Sequence, residues 1–394
     1  MAYSMHELGT PGGLTGLHKQ GKLPTRNFQD GQFEGNELIG GEALRDTLLI
    51  DRGGCYACPI RCKRVVEVDD ADYKVDPIYG GPEYETLGSF GSVCGVDDLR
   101  AICKANEICN AYGLDTISAG MVVAFAMECF ENELLSVEDT DGLELRFGNA
   151  KAMVAMVQKI ADREGLGDLL AEGSAIAAQK IGRGADAFTV NTHNQPFPMH
   201  ECRSRHGQAL GYALSPTGAD HMHNMWDEGL VRDPVGDGWK EMGVYTAVPA
   251  TELSAAKVHA YSVTAAMKWL DNSLGLCMFI PWSTEQKVEI VRAITGWKTN
   301  LWELLKAGER YVTMMRLFNM RCGWTREDDK LPARMAEPHR KGSVTEKPVH
   351  PDALAKAVTQ YYGMMGWDTE TGMPTPLRLE ELEIAWAAPQ SANA

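Results

Sequence analysis

Apolar positions recur at helical spacing along most of the chain. In "LRAICKANEICNAYG", beginning at Leu99, the residues Ile102, Ala105, Ile108, Cys109 and Tyr112 fall on one face, behind Asp97 and Asp98. This is the stripe and the acidic start that a 3.6-residue period requires. "SAGMVVAFAMECFENEL" follows with no polar face and predicts a more deeply buried helix. "NAKAMVAMVQKIADREG" and "GDLLAEGSAIAAQKIG" predict a helical hairpin, each member closed by glycine. "TELSAAKVHAYSVTAAMKWL", "TEQKVEIVRAITG", "LWELLKAGERYVTMMRLFNM" and "PDALAKAVTQYYGMMG" continue the pattern. Alternating β-branched runs are scarce, "KRVVEV" and "AFTVNT" being the best strand candidates. The expectation is a mainly α, multihelical protein.

Two stretches break the period. Residues 1–54 are glycine-rich ("GTPGG", "FQDGQFEGNELIGG") and read as a connecting segment that needs something to lean on. Residues 326–350, "REDDKLPARMAEPHRKGSVTEKPVH", are charged, contain proline and have few apolar positions, which predicts a surface excursion.

Composition narrows the function. With 394 residues, 44% of them hydrophobic, the chain can bury one large core or two to three ordinary ones. A net charge of −16 without a basic block argues against nucleic acid as a partner, because phosphate neutralisation needs concentrated positive charge. The longest strongly apolar run, "AGMVVAFAM", is far short of the roughly 20 residues that span a bilayer, so no membrane partner is expected. The start, "MAYSMHELGTPGG", lacks the features of an export signal, and a cytoplasmic location follows as the expectation.

Ten cysteines are too few for a disulfide scaffold, and grouped cysteines in a reducing compartment more often bind metal. Cys94, Cys103, Cys109, Cys129, Cys202 and Cys322 stand in ordinary surroundings and are expected to be small buried hydrophobes. Cys55, Cys58 and Cys62 differ, forming C-x2-C-x3-C in "GGCYACPIRCKR". Two thiolates two residues apart can turn onto one metal or cluster, and a third completes most of a ligand set. An iron–sulfur cluster, a zinc site and chance grouping all stay open on spacing alone. Arg61, Lys63 and Arg64 favour the polyanionic cluster slightly. Cys277, after a Gly-Leu turn at a helix end in "WLDNSLGLCMFIPW", is placed to supply a fourth sulfur.

With these blocks in view the chain resembles the tungsten-containing aldehyde ferredoxin oxidoreductase family. The likeness rests on the cysteine run, "GPEYET", "NAYGLDTIS", "EDTDGLELRFGNAKAM", "SPTGADH", "NSLGLC", "RLFNMRCGWTREDDKLP" and "GWDTETGMP", in order along the chain. The resemblance implies a tungsten or molybdenum ion held by two pterin dithiolenes beside a 4Fe-4S cluster. It implies oxidation of an aldehyde to a carboxylic acid, with electrons passed to ferredoxin or another iron–sulfur carrier. Carried over, the cluster ligands are Cys55, Cys58, Cys62 and Cys277. The pterin turns are Asn110, Gly113, Leu114 and Asp115, and then Asn272, Gly275, Leu276 and Cys277. Glu83 or Glu85 and His221 match the family's carboxylate and histidine near the metal. The implied domains are a helical domain at 55–215, with the first turn and three cysteines, and another at 216–394 with the second turn and the fourth cysteine. A homodimer is compatible with this organisation.

The departures define the alternatives. Both turns open with Asn where the family has Asp, and Asp271 is a nearby substitute in the second. His193, His200, His206, His221 and His223, with Glu201 or Asp220, could form a separate metal site. The family's N-terminal β domain is not recognisable, so the chain resembles domains two and three alone. A separate β-domain polypeptide is then an expected partner, unless the reading frame is truncated. Bulky side chains around Trp226, Trp269, Met278 and Trp282 are compatible with an aromatic substrate, and make an aromatic-acyl-CoA reductase subunit the runner-up. The two Asn residues also allow a non-catalytic electron-relay subunit.

Overall fold

The computed structural model describes residues 2–342 and 348–388. Among them, 17 α-helices set the architecture, and the sheet content is three two-stranded antiparallel pairs. This is the mainly α fold expected from the apolar period. None of the described helices is long and apolar enough to cross a membrane. The chain divides into two compact units, Met1–Glu201 with Pro332–Pro348, and Cys202–Leu331 with Val349–Ala394.

In the first unit, Asp98 caps the Leu99–Tyr112 helix by accepting from the backbone N–H groups of Arg100 and Ala101. Gly113 ends it at φ 72°, a left-handed conformation that glycine adopts without steric cost. The following helix, Thr116–Glu131, is buried without a break from Ala119 to Phe130, as its missing polar face predicts. Its Gly120 is required by packing, since a Cβ there would lie 2.5 Å from the Ser89 side chain. The helical hairpin departs from expectation in its closures. Arg163, not a glycine, takes the left-handed cap after Ala150–Asp162, and the second member splits into Leu166–Leu170 and Ser174–Ile181 around Gly173. Of the strand candidates, "KRVVEV" supplies Lys63–Val66, while "AFTVNT" gives only the two-residue strand Asn191–Thr192 behind a 3-10 turn.

The glycine-rich opening contributes core: Leu14, Leu23, Phe28, Phe33 and Ile39 are all at most 1% exposed. The charged stretch at 326–350 is not the surface excursion its composition predicts. Its Pro332–Pro348 part belongs to the first unit, with Arg334, Met335 and His339 buried. Arg334 forks onto both oxygens of Glu128 at 2.7 Å, and also donates to the Asn27 carbonyl at 2.6 Å. Gly31 N–H donates to Lys341 O, and Arg340 N–H to Gln29 O. Charge is buried here because it is paired, which no count of apolar positions reveals. Residues 343–347 of that stretch lie outside the described residues.

In the second unit, helices Ala255–Ser273 and Leu301–Arg321 pack together, with Met267, Leu270, Val288, Val291 and Leu304 forming one apolar cluster. Lys257 and Asp227 form an ion pair with neither side chain exposed. Cys94, Cys103, Cys109, Cys129 and Cys202 are buried as expected, and burial pushes the Cys103 thiol up to about 12. Cys322 is a correction: it is exposed, because it caps the Leu301–Arg321 helix and turns outward before Gly323.

Candidate active site

The three grouped cysteines lie in the loop of a β-hairpin. Leu49–Gly53 pairs with Lys63–Val66, the last register pair being Gly53 with Lys63, so Cys55, Cys58 and Cys62 all fall in the nine residues between. Cys58 N–H donates to Cys55 O at 3.1 Å, and Ala57 and Arg61 adopt positive φ, which curls the loop. None of the three thiols is in a disulfide; Cys55 is exposed, Cys58 and Cys62 half-buried. Arg64 anchors the base of the loop from a buried position. It donates to the carbonyls of Glu7, His6 and Arg61 at 2.8–3.0 Å, and burial, then Arg52, holds its pKa below the usual guanidinium value.

The same hairpin borders a cavity of about 680 Å³ in the first unit. Four of the sequence-predicted residues line it: Glu83, Glu85, Asn110 and Asp115. Glu83 accepts from the Thr10 hydroxyl, and its pKa is raised because burial outweighs that bond and the charges of Arg64 and Lys63. Glu85 is clamped differently. Its Oε2 accepts from Met199 N–H at 2.7 Å, and its Oε1 lies 2.9 Å from His200 Nε2. Asn110 donates to the Tyr79 carbonyl at 3.0 Å, which leaves its amide oxygen for another donor. Asp115 caps the Thr116–Glu131 helix through Ser118, so its carboxylate already has a structural task.

Sequence reading missed one member of this wall. Asn106 is buried, lines the cavity, and its Nδ2 has no acceptor among the described residues. It lies one helical turn before Asn110, and that i, i+4 relation was the available signal. A buried amide donor without an acceptor costs about 1–3 kcal/mol.

Both Gly-Leu turns have the same local form. Gly113 stands at φ 72° and Leu114 N–H reaches back to Cys109 O at 2.8 Å; Gly275 stands at φ 68° and Leu276 N–H reaches back to Asp271 O at 2.9 Å. A Cβ on either glycine would meet nothing within 4 Å, so each turn faces open space and glycine is demanded by φ alone. Asn272 and Cys277 are exposed and Leu276 is half-buried. Asp271 is not available as a substitute for Asn272, since Lys287 Nζ holds its carboxylate at 2.8 Å.

His221, in the second unit, is half-buried and follows the Ser215–Asp220 turn, where Thr217 N–H donates to Ser215 Oγ and Met222 N–H to Asp220. Asp220 also binds His223, whose ring stacks on Trp269 at 3.7 Å. Burial pushes the Asp220 pKa up, but the His223 bond and charge, with the Met222 N–H, bring it below the usual carboxylate value. The histidine-rich region thus divides its carboxylates: His200 has Glu85, His223 has Asp220, and the buried Glu201 is engaged by His339 at 2.7 Å.

A multihelical chain with a thiol-bearing hairpin beside a carboxylate-lined cavity has the make-up of a cofactor-binding protein. The family described as "Aldehyde ferredoxin oxidoreductase, domains 2 & 3" matches residues 1–384, and the chain belongs to it. The tungsten-containing aldehyde ferredoxin oxidoreductases of Thermococcus kodakarensis and Pyrococcus furiosus are each 33% identical to it over 94% of this chain. The aliphatic sulfonate oxidoreductase, WOR-like subunit, of Pyrococcus furiosus is 27% identical over 98% of this chain. The chain spans 58% of the length of each of these relatives. Among solved structures, the active-site complex BamBC of benzoyl-coenzyme A reductase with 1,5-dienoyl-CoA aligns with TM-score 0.72 and 21% identity, over 96% of this chain and 60% of that one. That likeness concerns the fold.

Proposed function

We propose that this chain is the cluster- and pterin-holding part of a tungsten or molybdenum oxidoreductase that converts an aldehyde and water into a carboxylic acid. Two electrons and two protons leave per turnover, and the electrons pass through a 4Fe-4S cluster to ferredoxin or a similar carrier. The observation that carries this reading is the first-unit cavity, where Glu83, Glu85, Asn110 and Asp115 meet beside the hairpin that bears three cysteines, none of them in a disulfide.

The residues present fit such groups. Cys55, Cys58, Cys62 and Cys277 are the cluster ligands in this reading, none of them in a disulfide. The Asn110 turn and the Asn272 turn are the pterin contacts. Asn106 Nδ2, a buried donor without an acceptor, suits the ring nitrogens and carbonyl of such a heterocycle. When bound, the metal–pterin group supplies the two-electron chemistry. The chain's own residues position the substrate and move its protons. Glu83, whose raised pKa favours keeping a proton, holds or hands on the proton of the reacting water. Glu85 is oriented by Met199 N–H and holds the His200 imidazole through Oε1, and His221 is the second proton-handling group. An amide at Asn110 or Asn272 can both donate and accept, though it lacks a carboxylate's charge.

The test is anaerobic purification with the products of adjacent reading frames from a host supplied with tungstate and molybdate. Near-stoichiometric tungsten or molybdenum together with iron, and aldehyde-dependent reduction of a low-potential dye, is the expected result. Iron alone would leave an electron-relay subunit, and zinc without iron would overturn both readings. His221→Ala is expected to abolish dye reduction while the metal content stays.

A further inference from the structure

The second unit has a cavity of its own, about 580 Å³, walled by Trp226, Trp239 and Trp282 with Met242 and Met267. Lys268, on the Ala255–Ser273 helix, lines it as well. Among the described residues its ammonium has no hydrogen-bond or ion-pair partner, although Asp271 stands one turn along the same helix. That carboxylate is taken by Lys287, which holds both of its oxygens at 2.8 Å. Burial lowers the Lys268 pKa; Asp271 opposes this and Lys287 adds to it. A partly desolvated lysine beside a second cation is the arrangement that turns an amine into a nucleophile.

Two roles are open to such an amine: counter-charge for an anion, or nucleophile toward a neutral electrophile. The cavity's lining decides between them. Asp237, Glu241, Asp271 and Glu285 set four carboxylates against the two ammonium groups of Lys268 and Lys287, and three of the four are exposed. An anion approaching through them is repelled, whereas a neutral ligand is not. The indole walls select a flat apolar body.

We propose that Lys268 Nζ condenses reversibly with the carbonyl carbon of a small aromatic aldehyde held between these indoles, making this cavity a carbonyl-capture site. Nζ adds to the carbonyl carbon and one amine proton moves to the carbonyl oxygen. That oxygen then leaves as water, carrying the second amine hydrogen, as the C=N bond forms. No electrons change hands, so the capture stands or falls separately from the aldehyde oxidation proposed above.

The test is reductive trapping on the full chain with benzaldehyde and sodium cyanoborohydride, followed by peptide mass spectrometry. Lys268 is expected to acquire the benzyl group about tenfold faster than the half-buried Lys240, whose ammonium pairs with Asp237. Benzyl alcohol, a neutral ligand of the same shape, is expected to slow labelling at Lys268 and not at Lys240. Lys268→Arg should lose only that adduct; if the variant does not fold, the protection measurement on the unaltered chain decides. Labelling at Lys268 no faster than at Lys240 overturns the proposal. So does stronger protection by benzoate than by benzyl alcohol, which would make Lys268 the counter-charge of an anion.

Discussion

The two Gly-Leu turns are nearly superimposable in their backbone logic and differ in what surrounds them. Each ends a long helix, places glycine at φ 68–72°, and returns an N–H from the following leucine to a carbonyl five residues back. Around the first, Asp115 at once starts a new helix and a cavity wall rises from the cysteine hairpin and "GPEYET". After the second, Cys277 leads into an irregular segment, and the neighbouring carboxylate Asp271 is committed to Lys287. The turn is thus a local device that a short motif encodes. The wall is tertiary, and the first turn has one built from its own unit.

The sharpest way to break this comparison is through the thiols that accompany the turns. Cys58→Ser, from the hairpin, and Cys277→Ser, from the second turn, are each expected to remove essentially all iron from the anaerobically purified protein. Cys322→Ser, at an exposed thiol beside neither turn, is the control and should leave iron unchanged. Retention of full iron in Cys277→Ser would take the second turn out of the cluster site. Next in size is the packing that supports the first wall. Arg334→Ala leaves the Glu128 carboxylate buried without its cation, only Asn27 still donating to it, at a cost of about 3–5 kcal/mol in urea unfolding. Lys257→Met, which strands Asp227 in the second unit, should cost a similar amount. A cost below about 1 kcal/mol for Arg334→Ala would show that the charged return segment is dispensable.

A smaller effect isolates the turns themselves. Gly113→Ala and Gly275→Ala add a methyl that touches nothing, so each should cost only the strain of a left-handed alanine, about 1–2 kcal/mol. Equal costs sharpen the view that the two turns are one device. A much larger cost at one of them would show a packing role that the open space around both does not suggest.

These outcomes bear on what a linear reading can see. Among the described residues, the seven helices of twelve or more residues were legible because an apolar stripe is a local property of such a length, and the turns because a left-handed helix end calls for glycine. The buried charge was not. Arg334 and Glu128 are 206 residues apart, His339 and Glu201 are 138 apart, and Glu85 meets Met199 across 114. Each residue alone reads as solvated surface, and only the partner makes burial tolerable. Lys268 escaped for the same reason: its helix predicts itself, but the indole walls come from three separate segments. Asn106 was nearer to being found, since it shares a helix face with Asn110. Cys322 was misjudged because an average tendency to be buried says nothing about a position past a helix end.

The smallest expected effect sets one carboxylate from each unit against the other. Glu83 has a raised pKa in the folded chain, chiefly through burial, so the folded state holds its proton more tightly than the unfolded one. Its contribution is therefore fully present below the ordinary carboxylate range and is lost as pH rises through the raised value. Asp220 has a lowered pKa once the His223 bond has outweighed burial. Its contribution is present above the ordinary range and disappears as pH falls through the lowered value. Glu83→Gln should then leave the protein at least as stable as the parent at neutral pH, the gap narrowing toward acid. Asp220→Asn should be less stable at neutral pH and converge with the parent in acid. Urea midpoints measured from neutral pH down into the carboxylate range test both signs at once. If Glu83→Gln proves destabilising at neutral pH, the ionised carboxylate is being held by Arg64 and Lys63 more firmly than burial opposes it, and Glu83 is a structural anion instead of a proton carrier.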